Sequence, residues 1–169
     1  MTAPDVSAAV RRAEESELDQ LAQLWYSSWQ DAHARIVPPE LTRLRTLESF
    51  RERLQAALED IRVVGAPGRP AGFSIIKGDE LYQLFVGAES RGAGVAAALI
   101  EDAEARLANA GVETAWLACA IGNDRAARFY EKRGWHRAGT IVNRLETPEG
   151  EFLLEVWRYE KPLTAADRR

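Results

Sequence analysis

The sequence predicts an α/β (α+β) fold, with a mixed, mostly antiparallel central sheet flanked by about four helices. Three observations predict it. Apolar residues recur at helical spacing in two early segments. Three β-rich runs separated by Gly/Pro turns follow them. A glycine turn then opens an alanine-rich helix, ahead of a strand, a short helix and a closing hairpin.

A first short strand is expected at Ala8–Arg12, AAVRR. Asp or Ser caps precede ESELDQLAQLWYSSWQDAH, where Leu18, Leu21, Ala22, Trp25 and Trp29 make one helical stripe. The prolines of IVPPE end that helix, because proline cannot continue it. A second helical segment runs from Glu40 to Leu58 on the stripe Leu41, Leu44, Leu47, Leu54 and Leu58. The period then changes, and IRVVGA, AGFSIIKG and ELYQLFVGA read as an antiparallel meander turning at PGRPAG and KGDE. A helix over Gly92–Asn109 stops at NAG. VETAWLACA reads as a buried strand, and NDRAARFYEKRG as a short helix capped by Asn123 or Asp124. WHRAGTIVN and EFLLEVWRYEK pair around TPEG. No repeat or long linker interrupts this order, so residues 1–169 are read as one domain.

Composition narrows the function classes. Apolar residues are 46% and charged residues 28%, the balance of an ordinary globule. The net charge of −4 argues against nucleic acid as a partner. Cys119 is the only cysteine, so no intrachain disulfide forms, and His33 and His136 lack ligand spacing, so no metal is expected. No apolar run approaches the roughly 18 residues of a membrane span. The start, MTAPDVSAAVRRAEESE, lacks the basic and apolar regions of a secretory leader. A cytoplasmic protein with no membrane partner is expected.

The stretch ESRGAGVAAALIEDAEARL sets Gly92 and Gly94 at the mouth of a very good helix. Glycine costs a helix about 1 kcal/mol relative to alanine. A tight strand-to-helix turn would account for both residues. So would a ligand lying against the backbone where no Cβ is allowed. A helix N-terminus offers unpaired N–H groups and about half a positive charge, and glycines let a phosphate approach them. Gly92-x-Gly94-x-x-Ala97 also fits a relaxed dinucleotide fingerprint. That fingerprint wants an acid at the end of the next strand, which here ends LACA, with Glu113 at its start. The Gly-Lys-Ser/Thr of a P-loop is absent.

Arg91-x-x-Gly94-x-Ala96 closely resembles the Q/R-x-x-G-x-G/A loop of the GCN5-related N-acetyltransferase (GNAT) superfamily. NDRAARFYEKRGW resembles that family's second signature, N-x-x-A-x-x-F-Y-x-x-x-G-F/W. Asn123, Ala126, Phe129, Tyr130, Gly134 and Trp135 stand in register with it. The order of elements is similar as well, so the resemblance covers nearly the whole chain. Its motifs are specific at Ser90–Ala98 and Asn123–Trp135 and weak ahead of the meander.

The resemblance implies an acyltransferase that moves acetyl from acetyl-coenzyme A (acetyl-CoA) to a primary amine of a small molecule or peptide, by direct attack in a ternary complex. It implies that the loop Arg91, Gly92, Ala93, Gly94, Val95 and Ala96 faces the cofactor's diphosphate. Phe85 and Val86 would hydrogen-bond the thioester carbonyl and the pantetheine amides, on a strand that a bulge splays from its neighbour. Asn123 would contact the pantetheine arm or bridge the splayed strands. Arg125, Arg128, Lys132 and Arg133 spread around the same helix and could reach the adenosine phosphates; such charges also read as a solvated face. The Tyr130 hydroxyl would protonate or stabilise the departing thiolate. Without the motif, Tyr130 reads as a tyrosine packed beside Phe129.

A lysine-like amine, with a pKa near 10.4, is mostly protonated at pH 7 and needs a base or a water relay. Glu80 holds the position where acids serve as bases in some members of the family; from the sequence alone it reads first as a water-facing turn residue of KGDEL. Asp31 and His33 are rival bases, and with Tyr26 they are the expected acceptor contacts. Cys119 has apolar neighbours and reads as a buried, inert thiol. The alternative function is a non-catalytic acyl-CoA-binding or regulatory module, against which Tyr130 weighs, since a sensor needs no acid at the sulfur. A homodimer is left open.

Overall fold

The computed structural model describes residues 9–167. One seven-stranded sheet runs in the order β1-β2-β3-β4-β5-β7-β6. Its strands are β1 (Val10–Arg12), β2 (Ile61–Val64), β3 (Gly72–Lys77), β4 (Glu80–Val86), β5 (Thr114–Ala120), β6 (His136–Thr147) and β7 (Gly150–Pro162). Every neighbouring pair is antiparallel except β4 and β5. Five helices flank the sheet: α1 (Leu18–His33), α2 (Pro39–Leu44), α3 (Leu47–Ala56), α4 (Val95–Asn109) and α5 (Asp124–Lys132). The expected start of β1 at Ala8 lies outside the described residues.

The meander, the glycine-led helix and the closing hairpin stand where the sequence puts them. Two elements differ. The segment expected as one helix over Glu40–Leu58 divides into α2 and α3, because Arg45 leaves helical geometry at φ −90, ψ 68. Thr46 then caps α3, its Oγ1 accepting from the Ser49 amide at 3.0 Å. This division raises the helix count to five. Nor does an Asp or Ser cap open α1. A 3-10 turn, Glu15–Glu17, leads into it, and Glu17 accepts from the Glu14 amide at 2.8 Å.

The sheet carries a core on each face. Leu21 and Trp25 of α1 and Phe50 and Leu54 of α3 bury against Ile61, Val63, Phe73 and Ile75. On the opposite face Ile100, Ala103 and Leu107 of α4 and Ala127 and Tyr130 of α5 bury against Leu81, Leu117 and Tyr159. Gly72 brings α4 close to the sheet. A Cβ there would meet Val95 Cγ1 at 2.7 Å and the Phe85 carbonyl at 2.9 Å, closer than packed atoms allow.

The feature that opens the sheet is a bulge in β4. Ile75 pairs with Gln83, but the next residue, Ile76, pairs with Leu81, which leaves Tyr82 as the extra residue. The bulge also resets which side chains face which way. Leu81 and Leu84 pack toward α4 and α5, while Tyr82 and Phe85 pack toward α1 and α3. Beyond it, β4 and β5 separate: their pairing is confined to Glu80 opposite Trp116. Among the described residues no helix is long and apolar enough to cross a membrane.

A buried ion pair ties the first strand to the start of α1. Glu17 is 1% exposed and takes Arg11 Nη1 at 2.7 Å and Nη2 at 2.9 Å, while Arg11 Nε donates to the Gly65 carbonyl at 2.8 Å. Burial alone would push the Glu17 carboxyl up. The Arg11 fork and the Glu14 amide outweigh burial and hold it below its ordinary value of 4.5. Removing one charge of a buried pair leaves the other uncompensated. Glu17→Gln is therefore expected to lower unfolding free energy by about 3 kcal/mol at pH 7. A depressed carboxyl stabilises fully above its unfolded pKa and loses that contribution as pH falls through its native value. In urea unfolding, the gap between parent and variant should be constant above pH 4.5 and close below it.

Candidate active site

The separation of β4 from β5 opens two cavities that meet inside the molecule. The larger, a cleft of about 410 Å³, runs from the end of β4 past the glycine turn to α5. A 3-10 turn over Ala88–Ser90 shapes its mouth and uses two loop amides: Arg91 N–H donates to the Ala88 carbonyl at 3.5 Å and Ala93 N–H to Ser90 at 3.2 Å. Gly92 and Gly94 both stand at φ +83, a conformation that side chains with a Cβ rarely adopt. Gly94 is the N-cap of α4, and its carbonyl accepts the first helical bond, from Ala98 at 3.0 Å. Among the described residues the amides of Gly92, Gly94, Val95, Ala96 and Ala97 have no backbone acceptor. A Cβ at either glycine would meet nothing within 4 Å. These glycines serve backbone shape and open approach, not packing. Bare N–H groups at a helix N-terminus form an anion site.

The second cavity, of about 140 Å³, lies between α1, the α2–α3 corner, the start of β4 and the β6–β7 hairpin. Leu84, Phe85, Asn123, Ala126 and Tyr130 line both spaces. Tyr130 is 9% exposed, and burial pushes its phenol well above the ordinary range, so it stays protonated at neutral pH. Glu80 lines the smaller cavity. Burial lifts its carboxyl to about 7; Asp79 adds to the rise, while Lys77 and Arg158 oppose it. His33 lines it too, with its ring stacked on Trp29 at 5.2 Å. Burial and the Arg45 cation pull His33 down to about 4, which makes it a neutral and weakly basic ring.

Most of the residues singled out from sequence come together here. Phe85, Val86, Arg91, Gly92, Gly94, Val95, Ala96 and Asn123 all line the larger cleft. Ala93 does not; its amide closes the 3-10 turn. Arg128 is exposed and off the cleft, since the lined arc of α5 carries Ala126, Phe129 and Tyr130, and the arginine on it is Arg125. Asn123 is also a helix cap, its Oδ1 accepting from the Ala126 amide at 3.4 Å. Two expected acceptor contacts stand elsewhere. Tyr26 packs against Phe50, with ring centroids 6.3 Å apart, and Asp31 lies 3.7 Å from Arg91 on the outer side of α1. Cys119 lines the smaller cavity with its thiol pushed up to about 12 by burial, so little thiolate exists.

The structure adds residues that sequence reasoning passed over. Ser28 of α1 lines the cleft, its hydroxyl 3.4 Å from the Val86 carbonyl. Arg45, Arg53 and Asn143 line the smaller cavity. Thr46 followed by Glu48 is an N-cap signal that would have placed Arg45 at a corner instead of on a helix face. Nothing local marks Asn143, which arrives through pairing of the hairpin.

A sheet split beside a glycine-capped helix, with a buried tyrosine at the split, defines an acyl-transfer scaffold. The model of the Acetyltransferase (GNAT) family matches residues 18–135. The chain belongs to that family and is an acetyltransferase of the class that takes its acetyl group from acetyl-CoA. Among solved structures it is similar to a GCN5-related N-acetyltransferase from Rhodopseudomonas palustris, with TM-score 0.71 and 22% identity over 92% of this chain and 95% of that one. The PaiA N-acetyltransferase of Thermoplasma acidophilum, solved with coenzyme A, has TM-score 0.62 and 21% identity over 91% and 98%. The ribosomal-protein-S18-alanine N-acetyltransferase of Escherichia coli has TM-score 0.61 and 23% identity over 92% and 94%. No curated protein sequence matches the chain.

The Glu80 environment is open to direct measurement. Carbon-13 titration of the glutamate carboxyls should show one midpoint near 7. Asp79→Asn should move that midpoint down and Lys77→Met should move it up, since the first charge disfavours ionisation and the second favours it. A Glu80 midpoint in the ordinary glutamate range would remove the burial on which its assignment rests.

Proposed function

We propose that residues 1–169 act as one acyl-CoA N-acyltransferase domain that acetylates a primary amine of a small molecule or peptide within a ternary complex. The observation that carries this reading is the meeting of the two cavities at Tyr130, one walled by bare loop amides and the other holding Glu80. Acetyl-CoA occupies the larger cleft, with its diphosphate against the amides of Gly92, Gly94, Val95 and Ala96 and beside Arg91 and Arg125. Its pantetheine arm runs along the unpaired edge of β4 at Phe85 and Val86, past Asn123, and its thioester reaches the junction. The acceptor amine enters from the smaller cavity.

The chemistry follows from what each group can do at neutral pH. Glu80 takes a proton from the incoming ammonium, directly or through water. A base near the working pH is the most effective compromise between being ionised and being basic. The freed nitrogen pair attacks the thioester carbonyl carbon and the C–S bond breaks, with its electron pair leaving on sulfur. Tyr130, held protonated, gives its proton to that sulfur as charge develops and the thiol departs as CoA; the second proton of the attacking nitrogen returns to the Tyr130 oxygen, directly or through water, and the proton on Glu80 is lost to solvent. His33 is the weaker candidate for the base, because a ring with a pKa near 4 holds few protons at pH 7. A covalent acyl-cysteine is disfavoured by the scarcity of Cys119 thiolate.

Thiol release from acetyl-CoA with a library of amines is the decisive assay. Tyr130→Phe should lower kcat by about 100-fold, the low end for a lost proton donor, with acetyl-CoA affinity nearly unchanged. Equal turnover would remove Tyr130 as the donor. Gly94→Val should weaken acetyl-CoA binding tenfold or more, because a branched residue resists φ +83 and its side chain occupies the space before the amides. Normal binding in calorimetry would mean that the loop is only a turn.

A further inference from the structure

The smaller cavity has a cationic end that the protein itself leaves without a counter-ion. Arg45, at the corner between α2 and α3, is 3% exposed. Its Nη1 donates to the Glu146 carbonyl at 2.6 Å, while its Nε is buried with no acceptor. Arg53 of α3 lies beside it, 4.4 Å over the Trp25 ring, and gives Nη2 to the Tyr82 hydroxyl at 2.9 Å. Among the described residues neither guanidinium forms an ion pair with a carboxylate; Glu146, on the exposed side of β6, attracts Arg45 only from a distance. Burial and Arg53 draw Arg45 down to about 10, which still leaves it charged at neutral pH.

Such an arrangement is unusual, because a buried charge is ordinarily paired. The acid of the cavity does not do it. Among the described residues Glu80 forms no ion pair with either arginine, and the charges that shift it are those of Lys77, Asp79 and Arg158. His33 is neutral. The wall therefore holds two guanidinium charges against one carboxylate, and the carboxylate stands apart from them. A planar guanidinium is matched by a carboxylate, which it binds with two parallel hydrogen bonds.

Resting on the acetyl-transfer reading above, we propose that the acceptor is a small amino carboxylate. Its carboxylate seats on Arg45 with Arg53 alongside, and its amine lies toward Glu80 and Tyr130. The size of the cavity agrees. At about 140 Å³ it is close to the cavity, roughly 150 Å³, that admits a benzene-sized guest. A free amino acid with a short side chain has those dimensions and brings both charges. The amino end of a long peptide brings the amine without the carboxylate.

The test compares each common amino acid with its α-carboxamide, in calorimetric binding to the CoA-saturated protein and in thiol release from acetyl-CoA. At least one amino acid should bind and be acetylated with kcat/KM at least 100-fold above its carboxamide. That preference runs against intrinsic reactivity, since the carboxamide's amine is the easier to deprotonate. Arg45→Met should reduce the ratio below tenfold through KM, with acetyl-CoA affinity unchanged. Arg53→Gln, a second variant that keeps a side-chain N–H for the Tyr82 hydroxyl, should reduce it by about tenfold. Equal use of acids and carboxamides, an undiminished ratio in both variants, or no binding of any amino carboxylate would overturn the proposal. In those cases thiol release with neutral amines would show acetyl transfer still standing, whereas failure to bind acetyl-CoA at all would overturn the underlying reading.

Discussion

β4 and β5 are neighbours that part after a single paired position, Glu80 opposite Trp116, and most of the molecule is arranged around that parting. In a continuous sheet the facing edges of both strands would be used up by each other. Here the extra residue at Tyr82 twists β4 away, and two helices fill the flanks of the gap from opposite faces. α1 supplies Ser28, Trp29 and His33 from one side; α5 supplies Ala126, Phe129 and Tyr130 from the other. The apex, where the strands still touch, holds Glu80. The open mouth holds Phe85 and Val86. One backbone irregularity therefore brings an acid, a phenol and a free strand edge to the walls of the same opening.

The mouth depends on a second balance, between a rigid helix and an unsatisfied helix end. α4 is fixed by Val95, Leu99 and Ile100, all buried, and by the close approach at Gly72. Its first turn is thus immobilised by packing at its own start. The donors on that turn remain bare because Gly94 starts the helix at positive φ with no side chain to cap it. Serine, threonine or aspartate at this point would have satisfied one of those donors from within. Forgoing the cap leaves oriented N–H groups whose geometry is settled before any anion arrives, which is the condition for electrostatic preorganisation.

The sequence carried the fold well because its signals were local. Helical stripes, turn glycines and the Asn123 cap are each decided within a few residues. The glycine loop and the Tyr130 signature were legible for the same reason. What escaped was everything decided across the sheet. A bulge in this strand was expected from the resemblance alone; whether ELYQLFV alternates regularly depends on how many residues of β3 oppose it, so its place at Tyr82 is invisible in the strand's own pattern. Which side chains of α1 face the smaller cavity was decided across the fold likewise. Tyr26 and Asp31 neighbour Trp25 and His33 in sequence, but a helix turns by about 100° per residue, and those two side chains leave the cavity. Arg45 was hidden inside a supposed continuous helix over Glu40–Leu58, and Asn143 needed a partner residue, Leu154, on the following strand. Ala93 was read from a loop motif, which fixes the path of the backbone better than it fixes which groups remain free, and Arg128 from the charge around a helix whose cleft-facing arc was not fixed.

Burial acts on Glu80, His33 and Arg45 in the same sense, by disfavouring charge, yet it leaves three different species. The outcome depends on the starting affinity of each for protons. Histidine begins near neutrality and loses its charge completely. Glutamate begins well below and is lifted to the working range. Arginine begins so high that even a large downward displacement keeps it cationic. A cavity lined by these residues therefore cannot be neutralised by rearranging its own protons; its excess positive charge is a fixed property of the fold. Replacing a buried charge by a well-packed apolar side chain is commonly neutral or stabilising. A guanidinium kept in such a position, with one nitrogen unbonded, is thus explained poorly by stability and well by a ligand of opposite charge. The same reasoning separates the two ends of the space: Glu80 is tuned to exchange a proton, whereas Arg45 is unable to, and a site with one group of each kind can hold an acceptor by one end while changing the other.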